Sequence, residues 1–249
     1  MAEFRIEIAG AAFAVRSLFE STRDYCKNYL TEKEPDFSVE VFPEDLVFEQ
    51  NALDEEAREE GMKRRKFTDP FLERTAIQRK VADHLLSRDT LLYHGSGIAL
   101  DGEGFLFTAA CGTGKSTHTR YWREISGDRA VMVNDDKPFL KITPEGVTMY
   151  GAPWSGKHGL DTNIAVPLKG ICILVRGLEN RIASIPPEDA LPMLLHQGCE
   201  PTDGSNLPQF ETLIRKLADT VPLWRMECTK DPQAATVARD AMAQKNPSA

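Results

Sequence analysis

The sequence lacks any paired arrangement of cysteines. Its five cysteines, Cys26, Cys111, Cys172, Cys199 and Cys228, are odd in number and scattered, and no Cys-x-x-Cys pair occurs. Neither a disulfide framework nor a zinc-ligand pattern is therefore suggested. Long apolar runs are missing as well. Stretches such as GICILV are far too short to span a bilayer, so no membrane partner is expected. The first residues do not follow the basic, apolar and small-residue order of a secretory signal. Together these absences make a reducing, cytoplasmic setting the expectation. Positive charge is not in excess either: Lys and Arg number 30 against 38 Asp and Glu, a net charge of −8. That balance argues against nucleic acid as a partner, although a small anion needs only a few local donors. Internal repeats and low-complexity linkers are also lacking.

What is present is an ordinary globular composition, 41% apolar and 27% charged over 249 residues. The length suits one α/β domain, or a core domain with a smaller lobe. EFRIEIAGAAFAVRS alternates well enough for one or two strands. DFSVEVFPEDLVFEQ reads as a strand pair reversed at Pro-Glu-Asp, and ALDEEAREEGMKRRKF as a solvated helix with local ion pairs. PFLERTAIQRKVADHLLSR has apolar residues at helical spacing, which predicts a packed helix.

From about residue 90 the texture changes to short apolar strands between turn signals. SGIAL-DGEG-FLFTA predicts a hairpin. RAVMVN, FLKIT-PEG-VTMYG, KGICILVRG and PLWRMEC read as strands, and PEDALPMLLHQG and PQFETLIRKLADTV as helices. The last stretch, TKDPQAATVARDAMAQ, predicts a closing helix with Asp231 as N-cap and Pro232 at its first position. The order implies an α/β fold with a mixed sheet over residues 90–249, preceded by an N-terminal α+β lobe or sheet extension over residues 1–89.

Residues 109–116 read A-A-C-G-T-G-K-S, against the Walker A pattern G-x-x-x-x-G-K-[ST]. An apolar strand precedes them and an apparent helix follows. Gly112 and Gly114 allow the sharp turn that aims successive N–H groups at one anion at a helix N-terminus. The run Cys111, Gly112, Thr113, Gly114, Lys115, Ser116 and Thr117 is thus the candidate phosphate cradle. Lys115 would reach the outer phosphates and the Ser116 hydroxyl would ligate Mg2+. Ala109, at the usual first glycine, implies a position that needs no positive φ. The second element is AVMVNDDKP, an apolar strand ending in Asn134, Asp135 and Asp136. Carboxylates at the end of a strand beside such a loop suit a magnesium ligand and a neighbouring base. Asp135 follows Lys115 by 20 positions, room for one helix and one strand.

The run HGSGIALDGEGFLFTAACGTGKST…VMVNDD resembles the nucleotide-binding core of HPr kinase/phosphorylase, within a wider group that includes the phosphoenolpyruvate carboxykinases. The resemblance covers roughly residues 90–175. It implies an α/β P-loop core with a mixed sheet, ATP or ADP and Mg2+ as cofactors, and phosphate contacts from residues 112–117. It also implies metal binding by Ser116 and Asp136, a base or acceptor-orienting role for Asp135, and an active-site histidine at His94. The two aspartates could exchange roles. The family's later Glu-x-Arg-Gly-x-Gly signature is absent, and YGAPWSGKHGLDTN stands near its place. Lys157 is the candidate to replace the missing arginine on the transferred phosphate. His118 reads as a helix-surface residue, and Arg176 as a strand-edge residue able to contact a ligand.

These readings converge on a P-loop kinase that moves the terminal phosphate of ATP to a hydroxyl of a small molecule or a protein serine. The alternative is an accessory or regulatory nucleotide-binding protein, for example in peptide modification. The acceptor, the choice among ATP, ADP and pyrophosphate, and any homo-oligomeric assembly are left open.

Overall fold

A computed structural model describes residues 1–59 and 61–243. The alternating N-terminal stretch forms two antiparallel strands, β1 (Ala2–Ile8) and β2 (Ala11–Ser17). After a short helix, α1 (Ser21–Tyr25), strand β3 (Phe37–Glu40) pairs with β2 in parallel and completes a three-stranded sheet. The second strand expected after Pro-Glu-Asp is not there. Pro43 instead opens helix α2 (Pro43–Glu59), and Asp45 Oδ2 accepts the Phe42 N–H at 2.9 Å. Proline's fixed φ suits a first helical turn, and the carboxylate satisfies an amide at the helix start, so the segment begins a helix rather than reversing a strand. The charge run is split as a result. Its first part continues α2, with an Arg58–Glu55 ion pair, while residues 62–68 have no regular structure and Glu60 lies outside the described residues. Helix α3 (Asp69–Leu86) is the expected packed helix, burying Leu72, Ala76, Ile77, Val81 and Leu85.

The rest of the chain builds a larger mixed sheet. Its strands are β4 (Thr90–Leu92), β5 (Ser96–Leu100), β6 (Glu103–Thr108), β7 (Ala130–Asn134), β8 (Phe139–Thr143), β9 (Gly146–Tyr150), β10 (Ala165–Arg176), β11 (Arg181–Ser184) and β12 (Leu223–Cys228). Between them lie helices α4 (Lys115–Ser126), α5 (Pro187–Gln197), α6 (Leu207–Thr220) and, last, α7 (Gln233–Met242). The predicted hairpin is β5–β6, turned at Asp101 and Gly102, both with positive φ. Asp231 Oδ1 accepts the Gln233 N–H at 2.8 Å, the cap expected for α7, while Gln244 lies outside the described residues.

Strand β10 organises this sheet. Its first residues pair antiparallel with β9, and through β9 with β8 and β4; further along it pairs in parallel with both β6 and β12. Strand β5 is antiparallel to β6 and to β7, so β6 and β7 run the same way. The C-terminal ends of β6, β7, β10 and β12 therefore share one edge, and the start of β5 lies there too.

Alternation along the central strands divides the core between two faces. Phe105 and Phe107 of β6, with Cys172 and Leu174 of β10, pack under Trp122 of α4 and Ala235 and Ala238 of α7. Leu106, Ile171 and Ile173 point to the other face, against Leu194 of α5 and Phe210, Ile214 and Leu217 of α6. Each fully buried Leu, Ile or Phe among them contributes about 1.5–3 kcal/mol relative to exposure. A third cluster joins Ile6, Phe13, Ile77 and Leu85 from the N-terminal part to Leu92, Phe139 and Trp154. The two sheets are separate, but their hydrophobic packing is continuous. The chain is thus a mixed α/β fold.

Candidate functional site

Residues 109–114 link β6 to α4 at that shared edge. Gly112 and Gly114 have φ of +71° and +121°, which L side chains rarely adopt, so the glycines make this turn possible. Ala109 is fully buried and has no positive φ, consistent with alanine at that position. Gly114 precedes α4 with no side-chain cap, so the first-turn amides depend on something outside the helix. Lys115 Nζ donates to the Ala109 carbonyl at 3.1 Å, folded back across the loop. Cys111 and Thr117 are exposed, and Ser116 is half-buried. A run of N–H groups, a cation and a hydroxyl at a helix N-terminus can bind an anion.

The two aspartates at the end of β7 have different surroundings. Asp135 is buried, and its Oδ1 accepts the Ser96 hydroxyl at 2.7 Å. Ser96 Oγ also lies 2.8 Å from Thr119 Oγ1 on α4, so one hydroxyl links the carboxylate to the helix that follows the loop. Asn134 sets the turn. Its Oδ1 accepts the N–H groups of Asp136 and Lys137 at 2.8 and 2.7 Å, and its Nδ2 donates to the carbonyls of Ala152 and Trp154. Asn134 therefore fixes both the aspartate pair and the start of residues 152–163.

Asp136 faces a more open space. Gly156, at φ +69°, approaches it so closely that a Cβ there would lie 3.1 Å from the Asp136 Cβ. Burial raises the Asp136 carboxyl above its ordinary range, helped by the neighbouring Asp135 and opposed by Lys137 and Lys115. His94 Nε2 lies 3.7 Å from Asp136 Oδ1, but burial, with Lys115 and Lys137 nearby, drives its pKa down to about 3. His94 is therefore a neutral imidazole at neutral pH, not an ion-pair partner. The main chain holds it in place: its N–H donates to Gln197 and its carbonyl accepts from Thr108 Oγ1.

The loop of residues 152–163 is stapled from beneath. Asp161 accepts from Tyr29 Oη at 2.9 Å and from Ser155 Oγ at 3.1 Å. Lys157 and His158 sit in a single exposed 3-10 turn at its tip. Lys157 is thus next in sequence to the Gly156–Asp136 contact, with its side chain exposed.

Arg176, at the end of β10, donates to the Gly112 carbonyl at 2.6 Å and so braces the loop itself. Beside it lies a cavity of about 660 Å³, lined by Gly112, Gly114, Thr117, Tyr121, Arg176 and Lys230 among others. His118 is not the helix-surface residue its position suggested. It is buried, accepts the Trp122 indole N–H at 3.2 Å and packs on Phe107, 4.5 Å between ring centroids. One helical turn separates His118 from Trp122, and both face the sheet, which is why they meet.

The structure brings His94, the 111–117 loop, Asp135 and Asp136 to one sheet edge. Sequence reasoning did not single out Ser96, Thr119, Asn134 or Asp161. Ser96 stood inside HGSG and Asn134 directly before the aspartates, the only signals that could have found them.

Fold and site together define a mixed α/β chain with a glycine loop and an aspartate pair at one edge of its sheet. The chain belongs to the family described as SynChlorMet cassette protein ScmC, whose model matches residues 70–202. Comparison with curated proteins gave no significant match. Among solved structures, the Hpr(Ser) kinase/phosphatase from Coxiella burnetii is a distant likeness at 14% identity and a TM-score of 0.37, covering 60% of this chain and 95% of that one. Among the described residues, no helix is long and apolar enough to cross a membrane, and no three or more His, Cys, Asp or Glu side chains are grouped to hold a metal ion.

Proposed function

We propose that this chain is a P-loop phosphotransferase of the HPr kinase type, transferring the terminal phosphate of ATP to a hydroxyl of a small molecule or a protein serine. The observation that carries the reading is the placement of the uncapped α4 N-terminus and its positive-φ glycines beside the Asp135–Asp136 pair. The loop from Cys111 to Thr117 would hold the phosphates, and the 660 Å³ cavity beside Arg176 and Tyr121 has room for the nucleoside.

Magnesium would supply charge neutralisation between the phosphates. Ser116 and an aspartate fit it as oxygen donors, with further ligands from phosphate and water. The surroundings of the two carboxylates favour the exchanged assignment: Asp135, tied through Ser96 to α4, as the metal-side ligand, and Asp136 as the base. A carboxylate raised by burial and facing an open space is the better proton acceptor. Neutral His94 would orient Asp136 or the acceptor hydroxyl without competing as a cation. Lys115 would reach the outer phosphates once it leaves the Ala109 carbonyl, and Lys157 would meet the transferred phosphate from the loop tip. Catalysis would then be positioning and charge stabilisation.

The purified protein should move label from Mg·[γ-32P]ATP into a component of a cell extract, and Lys115→Ala should not. The cassette-protein description of the family favours one rival, an accessory protein in which ATP sets conformation only. If ATP raises the melting temperature while label never leaves it, the rival is correct.

A further inference from the structure

The cavity of about 660 Å³ beside Arg176 and Tyr121 is bounded by two turns that are tied together. Residues 177–180 join β10 to β11, and residues 229–232 join β12 to α7. Asn180 Oδ1 accepts the Thr229 N–H at 2.9 Å and the Thr229 hydroxyl at 3.2 Å. The Gly177 N–H donates to the Cys228 carbonyl at 3.1 Å. The turn that carries Leu178 is therefore held in place, yet Leu178 itself is 99% exposed. A held apolar side chain, wholly in water on a cavity wall, offers area that a ligand can bury.

The fixed polar groups of this wall are already engaged. Besides donating to Asn180, Thr229 Oγ1 accepts the Asp231 N–H at 3.1 Å. Tyr121 Oη donates to the Lys230 carbonyl at 3.3 Å, and Arg176 Nη2 donates to the Gly112 carbonyl. Thr113, Thr117 and His118 also line the cavity, but they belong to the loop and the first turn of α4, at the phosphate end. Lys230 is exposed, and an ammonium on a flexible stem can donate to acceptors on any base. What is left to hold a base is the ring of Tyr121 with the apolar side chains of Leu178 and Ala234.

We propose that the nucleoside of the phosphate donor is held here by apolar packing on Tyr121 and Leu178, without reading of the base edge, so that ATP and GTP bind alike. The inference rests on the P-loop reading, since the loop fixes where the phosphates end and the base begins. Selecting one base needs edge groups that the wrong base leaves unpaired, at about fivefold to a hundredfold in affinity. Packing on an aromatic ring depends instead on the area of the base's π face. That area is similar in the two purines and smaller in the pyrimidines.

Calorimetric titration of the full chain with the magnesium complexes of ATP, GTP, CTP, UTP and ribose 5-triphosphate tests it. ATP and GTP should bind within about threefold of each other, and CTP and UTP about fivefold more weakly. Ribose 5-triphosphate, which lacks the base, should bind at least about tenfold more weakly than ATP. Leu178→Ala and Tyr121→Ala should each weaken ATP and GTP by the same factor, about threefold to tenfold, and ribose 5-triphosphate by less than about twofold. Leu178 is exposed, so its variant keeps the fold and the test does not depend on Tyr121→Ala. A preference between ATP and GTP of more than about tenfold overturns the inference and leaves the P-loop reading standing. So does ribose 5-triphosphate binding as tightly as ATP, or unchanged ATP affinity in Leu178→Ala. If no triphosphate binds the folded chain, the P-loop reading itself fails and the inference with it.

Discussion

Ser96 Oγ sits 2.7 Å from Asp135 Oδ1 and 2.8 Å from Thr119 Oγ1, tying the start of β5, the end of β7 and the helix after the glycine loop through one hydroxyl. Asp135 is thereby held on the loop side of the site, while Asp136 faces His94 and Gly156. The two carboxylates should respond differently to the same change. Asp136→Asn should lower kcat at least about a hundredfold with little effect on nucleotide affinity, as expected for loss of a general base. Asp135→Asn should mainly raise the magnesium concentration needed for half-maximal turnover. Titrations of ATP and Mg2+ with each variant separate the two, and the opposite pattern would restore the reverse assignment.

The same environment sets a pH dependence. A base must be deprotonated to act, and burial raises the Asp136 carboxyl in the folded protein. The acid limb of the kcat/KM profile should therefore lie above the ordinary carboxylate pKa of about 4, with activity lost as pH falls through it. A limb at or below about 4 would mean that Asp136 is not the group being titrated.

Acid should also destabilise the fold, through His118. Burial lowers its pKa to about 4, against about 6.5 for an unfolded histidine. A depressed histidine gives stability that is present above the unfolded pKa and lost as pH falls from about 6.5 toward 4, where the unfolded state takes the proton first. The linkage is worth roughly 3–4 kcal/mol at most. His118→Phe should cost about 1–3 kcal/mol near pH 7.5, because the Trp122 N–H loses its acceptor, yet show a flatter decline toward pH 5. Denaturant melts at several pH values measure both effects. His94, lowered to about 3, adds a decline of the same sign that the variant retains.

Asn134 supports the site from below, with all four of its side-chain bonds made in a fully buried position. Asn134→Leu removes those bonds and leaves buried amides and carbonyls unpaired, at a cost of about 3–5 kcal/mol. If the variant still folds at low temperature, its turnover should fall with that of Asp136→Asn, since the Asp136 amide loses its acceptor. A stability change below about 1 kcal/mol in urea unfolding would contradict this role.

Arg176 braces the loop from the end of β10. Arg176→Gln should weaken ATP binding about threefold to tenfold, the effect of one charge-assisted hydrogen bond at a partly exposed site. Melting temperature without nucleotide should change little, because the side chain is exposed.

The central strands, their helices and the loop were legible because they follow local rules: alternation on β5 and β6, an Asp-Gly turn, glycines before a Lys-Ser helix start. The Pro43 segment misled because Pro-Glu-Asp serves both as a turn and as a first helical turn, and only packing on α3 decides. His118 was misplaced because a polar side chain in a first turn reads as exposed until its Trp122 partner is seen one turn on. Thr119 and Asp161 were invisible for another reason: their partners lie in distant segments, and no local pattern marks a bond such as Tyr29 to Asp161, 132 positions apart. Arg176 was legible as a strand-edge contact, but not as a brace on Gly112.

The central claim is that the loop from Cys111 to Thr117 holds nucleotide phosphates. Calorimetric titration of Mg·ATP into the unaltered protein and into Lys115→Ala tests it most directly, with AMP as the control that lacks the outer phosphates. The account predicts saturable binding of Mg·ATP that weakens at least about tenfold in Lys115→Ala, and much weaker binding of AMP. Equal affinity of both proteins for Mg·ATP, or no binding by the folded unaltered chain, would contradict it.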